Sequence, residues 1–286
     1  MLDMDEFKKN LDHALSEAER MTGEQITNVY LTLSGPVIES VTNVGIVSVL
    51  GTEITEDDVN RSLDMAQNGV DLTNRSVLKV IPETFTIDRE PGLKNPVGMA
   101  AKKLEVRAHI YSIGSNVLAN IQRAVGDVGV GILDMYPSVI TSGEAVLSKR
   151  QKELGVTVIE IGSSSTNIAV YEEGALLFSS VVPVGGEHVT SDIALGFRVS
   201  IDLAERLKLE VADLAFSPED DKDVEIDLAK FDKNESHSVS KKFLTEIVRA
   251  RYLEIFHLVN AELKRAGRDG MLPEGAVLTG GGAKIR

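Results

Sequence analysis

Val156-Thr157-Val158-Ile159-Glu160-Ile161-Gly162-Ser163-Ser164-Ser165-Thr166-Asn167-Ile168-Ala169-Val170-Tyr171 is the stretch whose reading decides the fold. Its first six residues are β-branched except Glu160, which predicts a buried strand. Gly162 and the serines behind it predict a tight turn, and residues 168–171 a returning strand. Such a turn presents successive backbone N–H groups and small hydroxyls beyond a strand end. That concavity suits phosphate, because the amides point at the anion and no bulky side chain intervenes. Near the other end, Val277-Leu278-Thr279-Gly280-Gly281-Gly282-Ala283 repeats the plan: an apolar strand, then glycines whose missing side chains let backbone approach a ligand. Either turn alone is equally a plain hairpin or a connector. Together, and far apart in the chain, they predict a nucleotide held between them.

Composition bounds the rest. A chain of 286 residues is long enough for two domains and a sizeable core, and 43% hydrophobic with 26% charged residues describes a globular protein. The net charge of −14 argues against non-specific binding to nucleic acid, whose phosphates it would repel, and leaves a locally bound nucleotide open. With no cysteine there is neither a disulfide nor a thiolate metal site. No apolar run reaches the roughly 18 residues of a membrane span, no signal-peptide pattern opens the chain, and the chain reads as cytoplasmic.

Along the chain, Phe7, Leu11, Ala14, Leu15 and Ala18 at helical spacing predict an amphipathic helix over 3–20, packed against a sheet. A strand over 28–33 and a turn at Ser34-Gly35-Pro36 follow. Between Val37 and Ile110 the texture becomes that of a compact α+β unit: a strand over 44–50, then a helix opened by Thr55 with Asp58 three residues on, an acidic capping box. Strands over 77–81 and 84–87 flank Pro82, and one over 104–111 closes the unit. Helix over 115–125, a short strand at Ile132-Leu133 and a small-residue helix over 142–147 resume an α/β alternation. Asp127-Val128-Gly129 reads as a turn after a helix. Val189, Thr190, Ser191 and Asp192 are N-cap candidates for a helix through Leu195, and another helix covers 201–208. Residues 217–235, with eight acidic residues against three lysines, predict a solvated loop or weak hairpin. A long helix over 240–265 carries an apolar stripe of Leu244, Ile247, Val248, Ile255, Leu258, Val259 and Leu263.

Read together, these pieces resemble the FtsA family of bacterial cell-division proteins, within the actin and Hsp70 ATPase superfamily. The resemblance rests above all on Val80-Ile81-Pro82-Glu83-Thr84-Phe85-Thr86-Ile87-Asp88 with Gly92-Leu93-Lys94-Asn95-Pro96-Val97-Gly98-Met99. Val182-Pro183-Val184-Gly185-Gly186, Thr190-Ser191-Asp192-Ile193-Ala194, and the runs Glu254-Ile255-Phe256 and Glu262-Leu263-Lys264-Arg265 add to it. It implies an α/β fold of two facing, actin-like, ribonuclease-H-like lobes with ATP in the cleft and an inserted α+β subdomain (1C, or SHS2) that serves self-assembly into filaments. Residues 1–36 and 111–149 would be parts of subdomain 1A, 37–110 would be 1C, 150–185 and 273–286 parts of 2A, and 186–272 the subdomain 2B that meets the tail of FtsZ.

The resemblance also assigns a site. Backbone amides of Ser163, Ser164, Ser165 and Thr166, following Gly162 and preceding Asn167, would hold the β- and γ-phosphates, with hydroxyls assisting. Gly280, Gly281, Gly282 and Ala283 would lie against ribose and adenine, with Glu205 and Lys208 flanking the base. Glu160 stands where the family has Asp, which orders water on Mg²⁺. The added methylene misfits an ion that demands near-ideal octahedral geometry, so hydrolysis is expected to be weak or absent while binding survives. Arg251 and Glu254 match FtsZ-contact positions; by residue type alone they, like Glu205, are ordinary helix-surface charges.

A first phosphate hairpin of the Asp-x-Gly-Thr/Ser kind is not found, since Asp127-Val128-Gly129 is followed by Val130. The chain is therefore expected to be incomplete at both termini, and the family's membrane-docking C-terminal helix is not expected within it. The implied function is a division-site adaptor at the cytoplasmic face of the inner membrane, which binds ATP, self-assembles and links FtsZ filaments of the septal Z ring to the membrane. The alternatives are an actin-like ATPase of pilus assembly or another ATP-hydrolysing member such as a sugar kinase, for which no catalytic Asp can be placed.

Overall fold

The computed structural model describes residues 4–215, 224–233 and 235–285. They form two compact units, Met1–Thr141 with Ala175–Leu177, and Ser142–Gly174 with Phe178–Arg286.

The first unit opens with α1 (Met4–Thr22), which packs along α3 (Ser115–Asp127) with Lys8 2.5 Å from Asp127. A sheet was the expected support. Instead no residue of α1 is buried, so its apolar face is only half covered by the neighbouring helix. β1 (Asn28–Leu33) pairs in parallel with β6 (Gly131–Pro137).

The α+β unit between them is a four-stranded antiparallel sheet of β2 (Ile38–Ser48), β5 (Lys103–Gly114), β3 (Arg75–Ile87) and β4 (Glu90–Leu93), in that order. α2 (Glu56–Asn68) lies across one face, where Val47, Ile54, Ala66, Phe85, Leu104, Val106 and Ala108 form the core. Alternation explains the choice of face: Leu104, Val106 and Ala108 are buried while Lys103 and Arg107 are exposed. Thr55 caps α2 as the sequence predicts, its hydroxyl accepting from the Asp58 N–H while Asp58 accepts from the Thr55 N–H at 3.0 Å. The two strands expected around Pro82 are one. β3 runs through Pro82 with register shifts between Val77 and Lys79 and between Pro82 and Thr84. The second shift places the residue without an N–H at an irregularity of the ladder.

α4 (Ser138–Val146) begins earlier than the sequence predicts, and α5 (Lys149–Leu154) was not anticipated, although Ser148 and Gln151 form a capping box there. In the second unit β7 (Val156–Ile161), β8 (Thr166–Glu172), β9 (Ala175–Val182) and β12 (Ala276–Thr279) make a sheet in the order β12-β7-β8-β9. β12 is parallel and β8 antiparallel to β7. Ile159, Ile161 and Ile168 pack against α6 (Gly186–Phe197), α7 (Ile201–Glu210) and α8 (Lys241–Arg265) through Val189, Ile193, Leu203, Leu207, Leu244, Val248 and Ile255. Leu258, placed on the buried stripe by spacing, is exposed.

α6 starts at Gly186, capped by Gly185, rather than at the hydroxyl and acidic residues of 189–192. The reason is tertiary, because the Gly186 N–H is satisfied by the Gly162 carbonyl at 2.8 Å. Of the acidic segment, 217–223 and Asn234 lie outside the described residues. The rest includes β10 (Glu225–Asp227), paired antiparallel with β11 (Ser238–Ser240), after which Ser240 caps α8.

Candidate functional site

The register of the second sheet puts Glu160 of β7 opposite Asn167 of β8 and Thr279 of β12. The serine turn and the glycine turn therefore leave the sheet side by side, although they are far apart in sequence. Contact with β7, not a ligand, explains two of the glycines. Gly280 adopts φ +87°, and a Cβ there would lie 2.4 Å from the Ile161 carbonyl oxygen. At Gly282 a Cβ would lie 2.3 Å from Ile161 Cγ2. Gly281 differs: a Cβ there would meet nothing within 4 Å.

Gly281 and Gly282 border a cavity of about 500 Å³ with Gly162 and Ser163 of the other turn. Gly186 and Glu187 of α6, Glu205, Lys208 and Leu209 of α7, Tyr252 of α8, and Ala212, Lys284 and Ile285 complete its wall. The serine turn is held by the start of α6, with Gly186 N–H donating to the Gly162 carbonyl at 2.8 Å and Glu187 N–H to the Ser163 carbonyl at 2.9 Å. These two amides, which a helix N-terminus would otherwise offer to an anion, are thus occupied within the chain.

Lys208 is the electrostatic centre of the wall. Its ammonium lies 2.6 Å from the Glu205 carboxylate and donates to Thr190 Oγ1 at 2.8 Å and to the Gly186 carbonyl at 3.1 Å. The Thr190 hydroxyl in turn donates to Glu205. Burial raises the Glu205 pKa, but the hydrogen bonds from Lys208 and Thr190 and the Lys208 charge outweigh it, leaving the carboxyl below its ordinary value and ionised at neutral pH.

The sequence-predicted residues divide. Gly162, Ser163, Glu205, Lys208, Gly281 and Gly282 line the cavity; Gly280 and Ala283 flank it in the same turn. Ser164 is exposed at the hairpin tip, while Ser165, Thr166 and Asn167 are buried. Two of the hydroxyls are engaged within the chain: Ser163 donates to Glu187 of the wall at 3.1 Å and Thr166 to the Val184 carbonyl at 2.8 Å. Glu160 does not reach the cavity wall. Its carboxylate accepts from Ser142 Oγ at 3.1 Å and from Asn167 Nδ2 at 3.0 Å. Among the described residues no group of three His, Cys, Asp or Glu could hold a metal. An ion such as Mg²⁺ keeps several waters and is bound through one or two carboxylates together with a nucleotide's phosphates, so at this site Glu160 would act on it only through water.

Tyr252 was missed, although it falls on the α8 stripe four residues after Val248 and three before Ile255. The preceding residue, Arg251, faces a second concavity with Asp192, Leu195, Ile247, Ala250 and Glu254. There its guanidinium forks onto Asp192 at 2.7 and 2.9 Å and reaches Glu254 at 2.6 Å.

A family model described as "SHS2 domain inserted in FTSA" matches residues 35–112, and one described as "Cell division protein FtsA" matches residues 157–286. The chain is 33% identical over 281 residues to cell division protein FtsA of Pseudomonas aeruginosa, covering 97% of this chain and 66% of that protein. It is 33% identical over 290 residues to FtsA of Escherichia coli K12, covering 99% and 69%. It thus spans about two thirds of the length of these relatives. Among solved structures, a chain of the PilM-PilN type IV pilus biogenesis complex is similar in fold, with TM-score 0.65 at 15% identity, covering 97% of this chain and 69% of that one. No helix among the described residues is long and apolar enough to cross a membrane.

Proposed function

This chain belongs to the FtsA family of cell-division proteins, with an actin-like α/β fold and an SHS2-type insertion, and from that premise we propose that it is an ATP-binding adaptor of the division site. In this reading the cavity holds a nucleotide, the inserted sheet mediates self-assembly, and the concavity around Arg251 and Glu254 receives the tail of FtsZ. Residues 1–36 and 111–149 act as 1A, 37–110 as 1C, 150–185 and 273–286 as 2A, and 186–272 as 2B. No residue here is assigned to membrane attachment.

One observation carries the nucleotide reading: two glycine-bearing turns and an ion-paired lysine converge on one cavity of about 500 Å³. A nucleotide bound there places anionic phosphate near the serine turn and its base beside Glu205 and Lys208, with ribose hydroxyls within reach of the Glu205 carboxylate, a strong acceptor. The wall favours binding over hydrolysis. Its carboxylates are Glu187, which accepts from Ser163, and Glu205, which is engaged by Lys208 and Thr190, so both are already tied to partners within the chain rather than held free for a water. The nucleotide then acts as a conformational and assembly ligand.

The test is calorimetric titration of the chain with ATP, with and without Mg²⁺, beside Gly281→Leu. Because a Cβ at Gly281 meets nothing within 4 Å, a leucine there adds bulk at the cavity's border at little cost to folding. ATP binding lost in this variant, with an unchanged melting temperature, supports the site. No binding by the unsubstituted chain overturns the nucleotide reading, and unchanged binding by Gly281→Leu moves the site elsewhere.

A further inference from the structure

The glycine turn is clamped from two sides. Ile161 of β7 blocks the Cβ position of Gly282, and from α8 the Tyr252 hydroxyl donates to the Gly282 carbonyl at 2.6 Å. Three consecutive glycines carry more backbone freedom than any other sequence, so without such ties this turn would sample many shapes. Tyr252 is well placed to supply one. The residue is 6% exposed and sits in the core with Val248, Ile255 and Val259, on a helix of 25 residues, and it also lines the cavity. Burial raises its pKa, so the phenol stays protonated and remains a donor. It is the aromatic residue of the described wall, beside the apolar Ala212 and Ile285.

We propose that Tyr252 is a positioning residue for the nucleoside part of the ligand: its hydroxyl holds the Gly281–Gly282 turn in the shape that receives ribose and base, and its ring forms part of the wall they rest on. The inference rests on the nucleotide reading above and deepens it by naming the contact that orders the glycine turn.

Tyr252→Phe tests it in the full chain, since it keeps the ring and removes only the hydrogen bond. ATP is the probe, and two quantities are read: the dissociation constant, and the tyrosine absorbance difference on ATP addition. The latter is legible because the chain has no tryptophan and five tyrosines. The expected result is a dissociation constant raised about 5–10-fold, the effect of one hydrogen bond, with a difference signal present in the unsubstituted chain and absent from Tyr252→Phe. An unchanged ATP affinity in Tyr252→Phe, or no tyrosine signal in the unsubstituted chain, overturns the role of Tyr252 while leaving the nucleotide reading in place. No ATP binding by the unsubstituted chain overturns both.

Discussion

Gly280 follows β12 so closely against β7 that a methyl group on it would lie 2.4 Å from the carbonyl oxygen of Ile161. The glycine turn is thus part of the sheet's packing before it is part of any binding site. Gly280→Ala combines this clash with a left-handed backbone of φ +87°, and should destabilise the second unit by about 3 kcal/mol. At Gly282 the obstruction is a side chain, Ile161 Cγ2 at 2.3 Å. Gly282→Ala should therefore cost less in an Ile161→Ala background than alone. A double-mutant cycle by urea unfolding measures the coupling, and additive effects would contradict it.

Asp192 and Arg251 are three-quarters buried and joined by a two-pronged ion pair at 2.7 and 2.9 Å. Asp192→Asn should reduce stability by about 1 kcal/mol and leave Glu254 as the remaining carboxylate partner of the guanidinium. Under the adaptor reading, Arg251→Ala should weaken binding of an FtsZ tail peptide roughly tenfold, the loss of one charge-assisted contact. Titration of a labelled peptide against each variant reads this directly, and equal affinity in Arg251→Ala would remove the groove from the proposed interface.

In the first unit Asp134 of β6 meets Lys79 of β3 at 2.5 Å, and the Lys79 ammonium also lies 4.3 Å from the centre of the Tyr136 ring. Hydrogen bonds from Lys79, then from Tyr136 and the Met135 N–H, lower the Asp134 pKa from 3.8 to about 2. A carboxyl more acidic in the folded than in the unfolded chain stabilises the fold above its unfolded value. That contribution is lost as pH falls through 3.8 toward about 2. Because the pair is partly solvent-exposed, the contribution is about 1 kcal/mol rather than the full Coulombic value. Asp134→Asn should flatten the acid side of the stability curve between about pH 4 and pH 2, read as urea midpoints across that range.

Gly45 of β2 lies beneath α2, where a Cβ would fall 1.9 Å from the Ser62 carbonyl and 2.5 Å from the Ala66 nitrogen. Both obstacles are helix backbone, which cannot swing aside as a side chain can. Gly45→Ala should lift α2 from the sheet and cost more than about 3 kcal/mol. Loss of hydrogen-exchange protection confined to residues 38–114, with β7 and β8 unaffected, is the expected pattern.

Local chemistry made much of this architecture legible in advance. Thr55 with Asp58 announced the start of α2, the β-branched run 156–161 announced β7, and the apolar stripe of α8 announced the face that meets the sheet. Each signal works because the causes act within one turn or one strand. The boundary of α6 was illegible for the opposite reason. Its first amides are capped by Gly162 and Ser163, over twenty residues upstream, while the local hydroxyls at 190 and 191 sit inside the helix.

For the candidate site, the sequence by itself determined which segments converge: the serine turn, the glycine turn and the helix bearing Glu205 and Lys208, each marked by residue type and by likeness to a family. Only the tertiary structure decided what those residues do. It turned Glu160 toward Ser142 and Asn167, occupied the Ser163 and Thr166 hydroxyls, set Gly280 and Gly282 against Ile161, and brought Tyr252 to the Gly282 carbonyl. Backbone propensity is settled by neighbours in the chain. The orientation of a polar side chain is settled by whichever partner packing delivers within about 3 Å, and such partners come from anywhere in the sequence.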